Sequence, residues 1–257
     1  MGGNPTHRGD PAGLAESAAI WKEEALSRDM WGNEWLKLTF NYRGRDFPLS
    51  FKNCACCITG DTLLGDMKAQ LASVIALVTE ASITADSLKA KKDNAVANGG
   101  GNYNVSMTEL ILLRNFADFS SKGGKFEWVW DDNDQSATVD RIQEVLDDMY
   151  WWLRKGLTIS CERWAGSDDE DSRGKASISK NLNEGFGIGV RTGNSIYLNC
   201  DALGSESGNQ IQDTIIHELS HLASFTYDDV DKGRRNLAAR YGKLAQDAEI
   251  RKKLLGE

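Results

Sequence analysis

The sequence lacks the features that direct a protein to nucleic acid or into a membrane. It has no basic excess, since 38 acidic side chains face 30 basic ones for a net charge of -8, and phosphate binding needs a basic footprint. Its apolar stretches, such as residues 71–78, fall short of the about 20 residues that cross a bilayer. We therefore expect no nucleic-acid partner and no membrane insertion.

The first 30 residues also lack the pattern of a secretory signal, a basic start followed by an apolar run. Five cysteines nevertheless occur, three of them close together at Cys54, Cys56 and Cys57. A structural zinc site would need a second ligand pair at suitable spacing, so we interpret this cluster as buried or locally disulfide-bonded. The compartment stays open, and secretion by a route that needs no signal is compatible with these features.

A chain of 257 residues, 40% of them hydrophobic, corresponds to one or two ordinary globular domains. Polar residues 1–11 are predicted to form a disordered tail, and residues 12–135 a mostly helical accessory or docking domain. Within that domain the spacing of apolar residues predicts helices at 12–29 and 61–97, and alternation predicts a β-hairpin at 38–51. A further helix begins at Ser106, which forms a capping box with Glu109. We expect this half to serve delivery or to bind an inhibitor partner.

Residues 136–257 form a second predicted domain, which makes the fold class α+β. Its elements are a helix at 137–153, a strand at 157–161, a solvated acidic loop at 167–174 and two strands at 185–191 and 195–200. Residues 192–194 are predicted to turn tightly between those two strands.

The residues that carry chemistry lie in an apolar helix predicted at 211–225. His217, Glu218 and His221 form the pattern His-Glu-x-x-His, which uses two of the three histidines of the chain. Side chains four apart on a helix lie one turn above each other, so both imidazoles can bind one Zn²⁺. Glu218 lies beside them and can act as the general base of a metallopeptidase.

A catalytic zinc needs a third protein ligand, and no histidine follows the motif. Acidic residues follow it closely at Asp228, Asp229 and Asp231, so an aspartate of this segment is the economical third ligand.

Here residues 137–257 resemble the aspzincins, the deuterolysin and peptidyl-Lys metalloendopeptidase family. In that family His-Glu-x-x-His is followed by Gly-Thr-x-Asp-x-x-Tyr-Gly, and residues 225–228 read Phe-Thr-Tyr-Asp. The resemblance implies a zincin-like fold and a zinc-dependent endopeptidase with Asp228 as third ligand. Phe225 replaces the family's glycine and Asp231 its tyrosine, which leaves Asp229 and Asp231 as alternative ligands.

The resemblance implies three further properties. A tyrosine hydroxyl supports the oxyanion in the family, and Tyr241 can take this role if the loop carries an insertion. The order of the strands before the metal helix implies a disulfide between Cys161 and Cys200. The substrates would be proteins or peptides, with a preference for lysine.

Two other functions remain open from the sequence. One is a zinc amidase, such as a toxin effector, that acts on a cell-wall peptide or another non-protein amide. The other is a zinc-stabilised binding module without catalysis, in which replacement of Glu218 would leave all activity unchanged.

Overall fold

The structure, a computed structural model, describes residues 21–23, 26–54, 62–99, 103–116, 118–122, 125–129, 139–164, 173–179, 190–203, 206–224 and 237–256. The predicted tail at 1–11 lies outside these residues. The strands are β1 (Trp21–Glu23), β2 (Ser27–Arg28), β3 (Glu34–Tyr42), β4 (Arg45–Lys52), β5 (Asp118–Lys122), β6 (Lys125–Val129), β7 (Leu157–Glu162), β8 (Gly174–Ser179) and β9 (Val190–Asn199). The helices are α1 (Thr62–Ala97), α2 (Met107–Phe116), α3 (Val139–Lys155), α4 (Cys200–Leu203), α5 (Gly208–Ser224), α6 (Leu237–Gln246) and α7 (Ala248–Leu255).

A mixed sheet forms the centre of the fold, in agreement with the predicted α+β class. Its strand order is β1-β3-β4-β7-β9-β8, with β2 also paired to β3, while β5 and β6 form a separate hairpin. The central strands β4, β7 and β9 run parallel, and β8 closes the sheet as an antiparallel strand. Helices α1, α3 and α5 pack against one another, and α5 also contacts β8 and β9.

The predicted hairpin is confirmed as β3 and β4. Arg43 and Gly44 both have positive φ, 51° and 73°, and they form the two-residue connection that suits the twist of a hairpin. Phe40, Phe47 and Phe51 are fully buried at alternate positions of the two strands, which is the pattern the sequence predicted.

The capping box before α2 is also confirmed. The backbone N–H of Ser106 donates to Glu109 at 2.6 Å, and the N–H of Glu109 donates to the Ser106 hydroxyl at 3.3 Å. The predicted helices that became α1, α3 and α5 are present as well, with bounds that differ by a few residues.

The two predicted halves share one sheet and one core. Leu49 in β4 pairs with Leu157 in β7, and Phe51 pairs with Ile159, so the parallel pairing crosses the predicted boundary between residues 135 and 136. Buried residues from both sides of that boundary belong to a single hydrophobic cluster. Within the described residues the two halves are thus joined by one sheet and one core, and the division into two domains stays a prediction.

The helix predicted at 12–29 is wrong over its described part. Residues 21–23 and 27–28 are short strands paired with β3, and Trp21 lies opposite Phe40 with ring centroids 4.8 Å apart. Trp21 pairs with β3 and packs on the buried Phe40. This tertiary contact outweighs the helical spacing of apolar residues on which the prediction rested. Residues 12–20 lie outside the described part.

The turn predicted at 192–194 is wrong too, because β9 continues from Val190 to Asn199. Its partner β8 begins within the segment predicted to be an acidic loop. The register of the β8–β9 ladder shifts between Ala176, which pairs with Ile196, and Ile178, which pairs with Arg191. The residues expected to turn lie in β9 at this irregularity. The predicted strand at 185–189 lies outside the described residues.

The prediction that no apolar stretch is long enough to cross a membrane is wrong for helix α1. Met67–Ala97 qualifies by length and composition, with a mean hydropathy of 1.4 in its most apolar window, and 72% of that window is buried inside the protein. A central core helix gives the same signal, so this helix is weak evidence for a membrane segment.

The disulfide implied by the resemblance is wrong. Cys161 is bonded to Cys54, at a sequence separation of 107 residues, and not to Cys200. Cys200 is disulfide-bonded as well. Cys54 follows β4 and Cys161 lies in the parallel neighbour β7, so strand pairing brings their sulfurs together.

Candidate metal centre

Helix α5 carries the motif and is held firmly at both its start and its buried face. The Ser207 N–H donates to the Gln210 side chain at 2.9 Å, a capping interaction that satisfies a free amide at the helix start. Five apolar side chains of the helix are fully buried, namely Ile215, Ile216, Leu219, Leu222 and Ala223. A helix anchored in this way presents its other residues in a defined geometry.

The structure brings His217, Glu218 and His221 together. Potential ligand atoms of the three side chains all lie within 4.8 Å of one another, and the two imidazole rings are 4.8 Å apart at 82°. Glu218 and His221 are only 6% and 8% exposed, and His217 is half-buried. Two imidazoles on one helix face are donors of the kind that Zn²⁺ takes, and the Glu218 carboxylate lies beside them.

The third ligand is not settled by the described residues. Asp228, Asp229 and Asp231 all lie outside them. Among the described residues, no further histidine, cysteine, aspartate or glutamate joins the group around His217. The choice among the three aspartates stays a prediction.

The first residue of β8 lies against the motif. A Cβ atom at Gly174 would be 2.9 Å from Cγ of Glu218, 3.2 Å from its Oε1 and 3.0 Å from Cγ2 of Thr214. The backbone of β8 therefore passes at contact distance from the turn of α5 that carries Glu218. The motif itself contains no signal for this neighbour, and Gly174 lies in the segment predicted to be a loop.

Asp213 is a second group that the sequence analysis missed. It lies one helical turn before His217, and its carboxylate accepts a hydrogen bond of 2.5 Å from Gln246 and packs against Gly242. Burial raises the pKa of Asp213, while the Gln246 hydrogen bond and the charges of His217 and Arg173 act in the opposite direction. An acid four residues before the first histidine was the signal available in the sequence.

Tyr241 lies in α6, the helix that packs against α5. It is fully buried, with its ring 4.7 Å from that of Phe116, and its hydroxyl has no hydrogen-bond partner among the described residues. Burial raises the pKa of Tyr241, and the charges that act on the hydroxyl belong to Arg141 and Glu144 of α3. The oxyanion role stays a prediction, and this position gives it no support.

No protein-family model matches the chain, and neither a curated protein nor a solved structure matches it. A proposal about function therefore depends on the site itself.

Proposed function

We propose that the protein is a zinc-dependent metalloendopeptidase with a zincin-like site, in which Glu218 is the general base. The observation that supports this most directly is the grouping of His217, Glu218 and His221 within 4.8 Å on one anchored helix. Imidazole ligands beside a buried carboxylate are the parts that metal-assisted hydrolysis needs.

In this proposal His217 and His221 hold the zinc ion, with Asp228 as the third ligand. Zinc supplies polarisation of the scissile carbonyl and a lowered pKa of water. The Glu218 carboxylate takes a proton from the attacking water and returns it to the leaving amine. Its 6% exposure matters, because a carboxylate largely shielded from bulk water interacts more strongly with charges that develop beside it.

The position of β8 supports an extended peptide as substrate. β8 is an edge strand, and among the described residues only β9 pairs with it. An extended peptide can add a further strand to such an edge. Because Gly174 of β8 contacts Glu218, a peptide paired there would pass close to the general base.

The lysine preference remains part of the proposal as the resemblance implies it. The described part of β8 and the residue before it carry two cations, Arg173 and Lys175, which offer no acidic partner to a lysine side chain. An acidic pocket for lysine would have to lie elsewhere.

The test is mass-spectrometric mapping of cuts in a denatured-proteome peptide mixture at matched zinc loading. We expect Glu218→Gln to lower the rate of cleavage by about 10²- to 10⁴-fold while zinc binding persists, because it removes only the general base. Glu144→Gln makes the same chemical change at an exposed position of α3 and should leave the rate unchanged.

Equal cleavage by the wild type and Glu218→Gln would contradict the proposal. If neither variant cuts peptides with zinc bound, the same pair is assayed on cell-wall peptides and other amides. A difference there would replace the peptidase by the amidase, and no difference would favour a zinc-stabilised binding module.

A further inference from the structure

We infer that Gly174 is a positioning residue for Glu218: the lack of a side chain at this point of β8 leaves the Glu218 carboxylate the space it occupies beside the two histidines. The inference rests on the proposed function in assuming that Glu218 acts as a base. The contact itself is a property of the fold, because a Cβ at Gly174 would lie 2.9 Å from Glu218 Cγ, closer than such atoms approach.

The strand cannot easily move away from the helix. Gly174 pairs with Leu198 in β9, and the carbonyl oxygen of the preceding residue, Arg173, accepts a hydrogen bond of 2.9 Å from the backbone N–H of Asn199. Both Leu198 and Asn199 are buried, at about 1% exposure. The backbone of β8 is therefore tied to the sheet at the point of contact.

The helix cannot easily move either. The face of α5 that includes Ile215 and Leu219 is fully buried in the core. On the side of Gly174, the methyl group of Thr214 blocks one direction at 3.0 Å from the position of a Cβ. Because the backbones of both the strand and the helix are held in place, an added methyl group would press on the Glu218 side chain and displace its carboxylate.

Gly174→Ala tests the inference. A displacement of a catalytic group by about 1 Å lowers rates by about 10²-fold, so we expect kcat to fall by about that factor with KM unchanged. Zinc affinity, measured by competition with a chromophoric chelator, should stay at the wild-type value, because the three atoms nearest to a Cβ at Gly174 belong to Glu218 and Thr214 and not to a histidine.

Two variants separate positioning from a general loss of structure. Gly208→Ala adds the same methyl group at the start of α5, where it meets the flexible end of Gln70 at 2.7 Å, and should leave kcat unchanged. Thr214→Ser removes the second crowded contact, so Gly174→Ala combined with Thr214→Ser should recover roughly tenfold of the lost kcat. Thermal unfolding confirms that each variant is folded.

Wild-type kcat in folded Gly174→Ala would overturn the inference, and so would a fall in zinc affinity equal to that in kcat, or no recovery in the double variant. Failure of the proposed function is recognised separately, since the wild type and Glu218→Gln would then not differ in hydrolysis. In that event crystal structures of the wild type and Gly174→Ala decide, and an unmoved Glu218 carboxylate would overturn the inference.

Discussion

The stability of the fold should depend on Glu109 in a way that pH reveals. Its side chain is only 3% exposed. Its two carboxylate oxygens accept hydrogen bonds from Lys91 Nζ at 2.7 and 2.8 Å, and they also accept from the Ser106 N–H and the Ser87 hydroxyl. Burial by itself would raise the pKa of Glu109, but these donors outweigh it and lower the pKa from 4.5 to about 2.

The sign and size of the effect follow from linkage. A carboxyl group that binds protons less tightly in the folded state stabilises that state above the unfolded pKa, and the stabilisation is lost as pH falls toward the folded pKa. A shift from 4.5 to about 2 corresponds to about 3 kcal/mol, present at neutral pH and lost between about pH 4.5 and 2.

Urea unfolding of Glu109→Gln at several pH values measures this. We expect the variant to be less stable than the wild type by about 2 to 3 kcal/mol at pH 7, with the difference shrinking steadily below about pH 4.5. Glu144→Gln, whose partner Arg141 forms an exposed ion pair, should change stability by less than about 1 kcal/mol. A difference for Glu109→Gln that is the same at pH 7 and pH 3 would refute the reasoning.

Two further predictions concern the metal and the disulfide. Free Zn²⁺ at about a thousand times its Kd should stabilise the folded protein by about 4 kcal/mol and raise Tm by about 10 °C. Differential scanning calorimetry of a variant with His217→Ala and His221→Ala should show no such rise, and an equal rise would contradict the assigned ligands. Replacing Cys54 and Cys161 with alanine opens a link across 107 residues and should lower the free energy of unfolding by about 4 kcal/mol. A loss below about 1 kcal/mol in urea unfolding would show that the rest of the sheet already restrains the two strands.

The parts of the fold that the sequence predicted are those with local signals. The hairpin has alternating apolar residues around Arg43-Gly44, and α2 has a reciprocal cap at Ser106 and Glu109. The grouping of His217 and His221 follows from the geometry of one helix. In each case the interacting residues are close in sequence, so no knowledge of the tertiary fold is needed.

The errors have the opposite character. Phe51 and Ile159 pair across more than a hundred residues, and no local pattern indicates which strands become parallel neighbours. Disulfide connectivity also cannot be deduced from the positions of cysteines alone, and the resemblance supplied the wrong pair for Cys161. In the sequence Gly174 is a small residue in a charged segment. Only the pairing of β8 in the sheet shows that it lies beside Glu218.

One row of residues across the sheet connects the first half of the chain to the candidate site. Cys54 is bonded to Cys161 in β7, Cys161 pairs with Leu198 in β9, and Leu198 pairs with Gly174 in β8, which contacts Glu218. A shift of one residue in strand register would turn every side chain of a strand to the other face. The disulfide therefore restrains the register of β7, and through the pairing of β7 with β9 and of β9 with β8 it also restrains the position of Gly174. In this way the first half of the chain supports the candidate site.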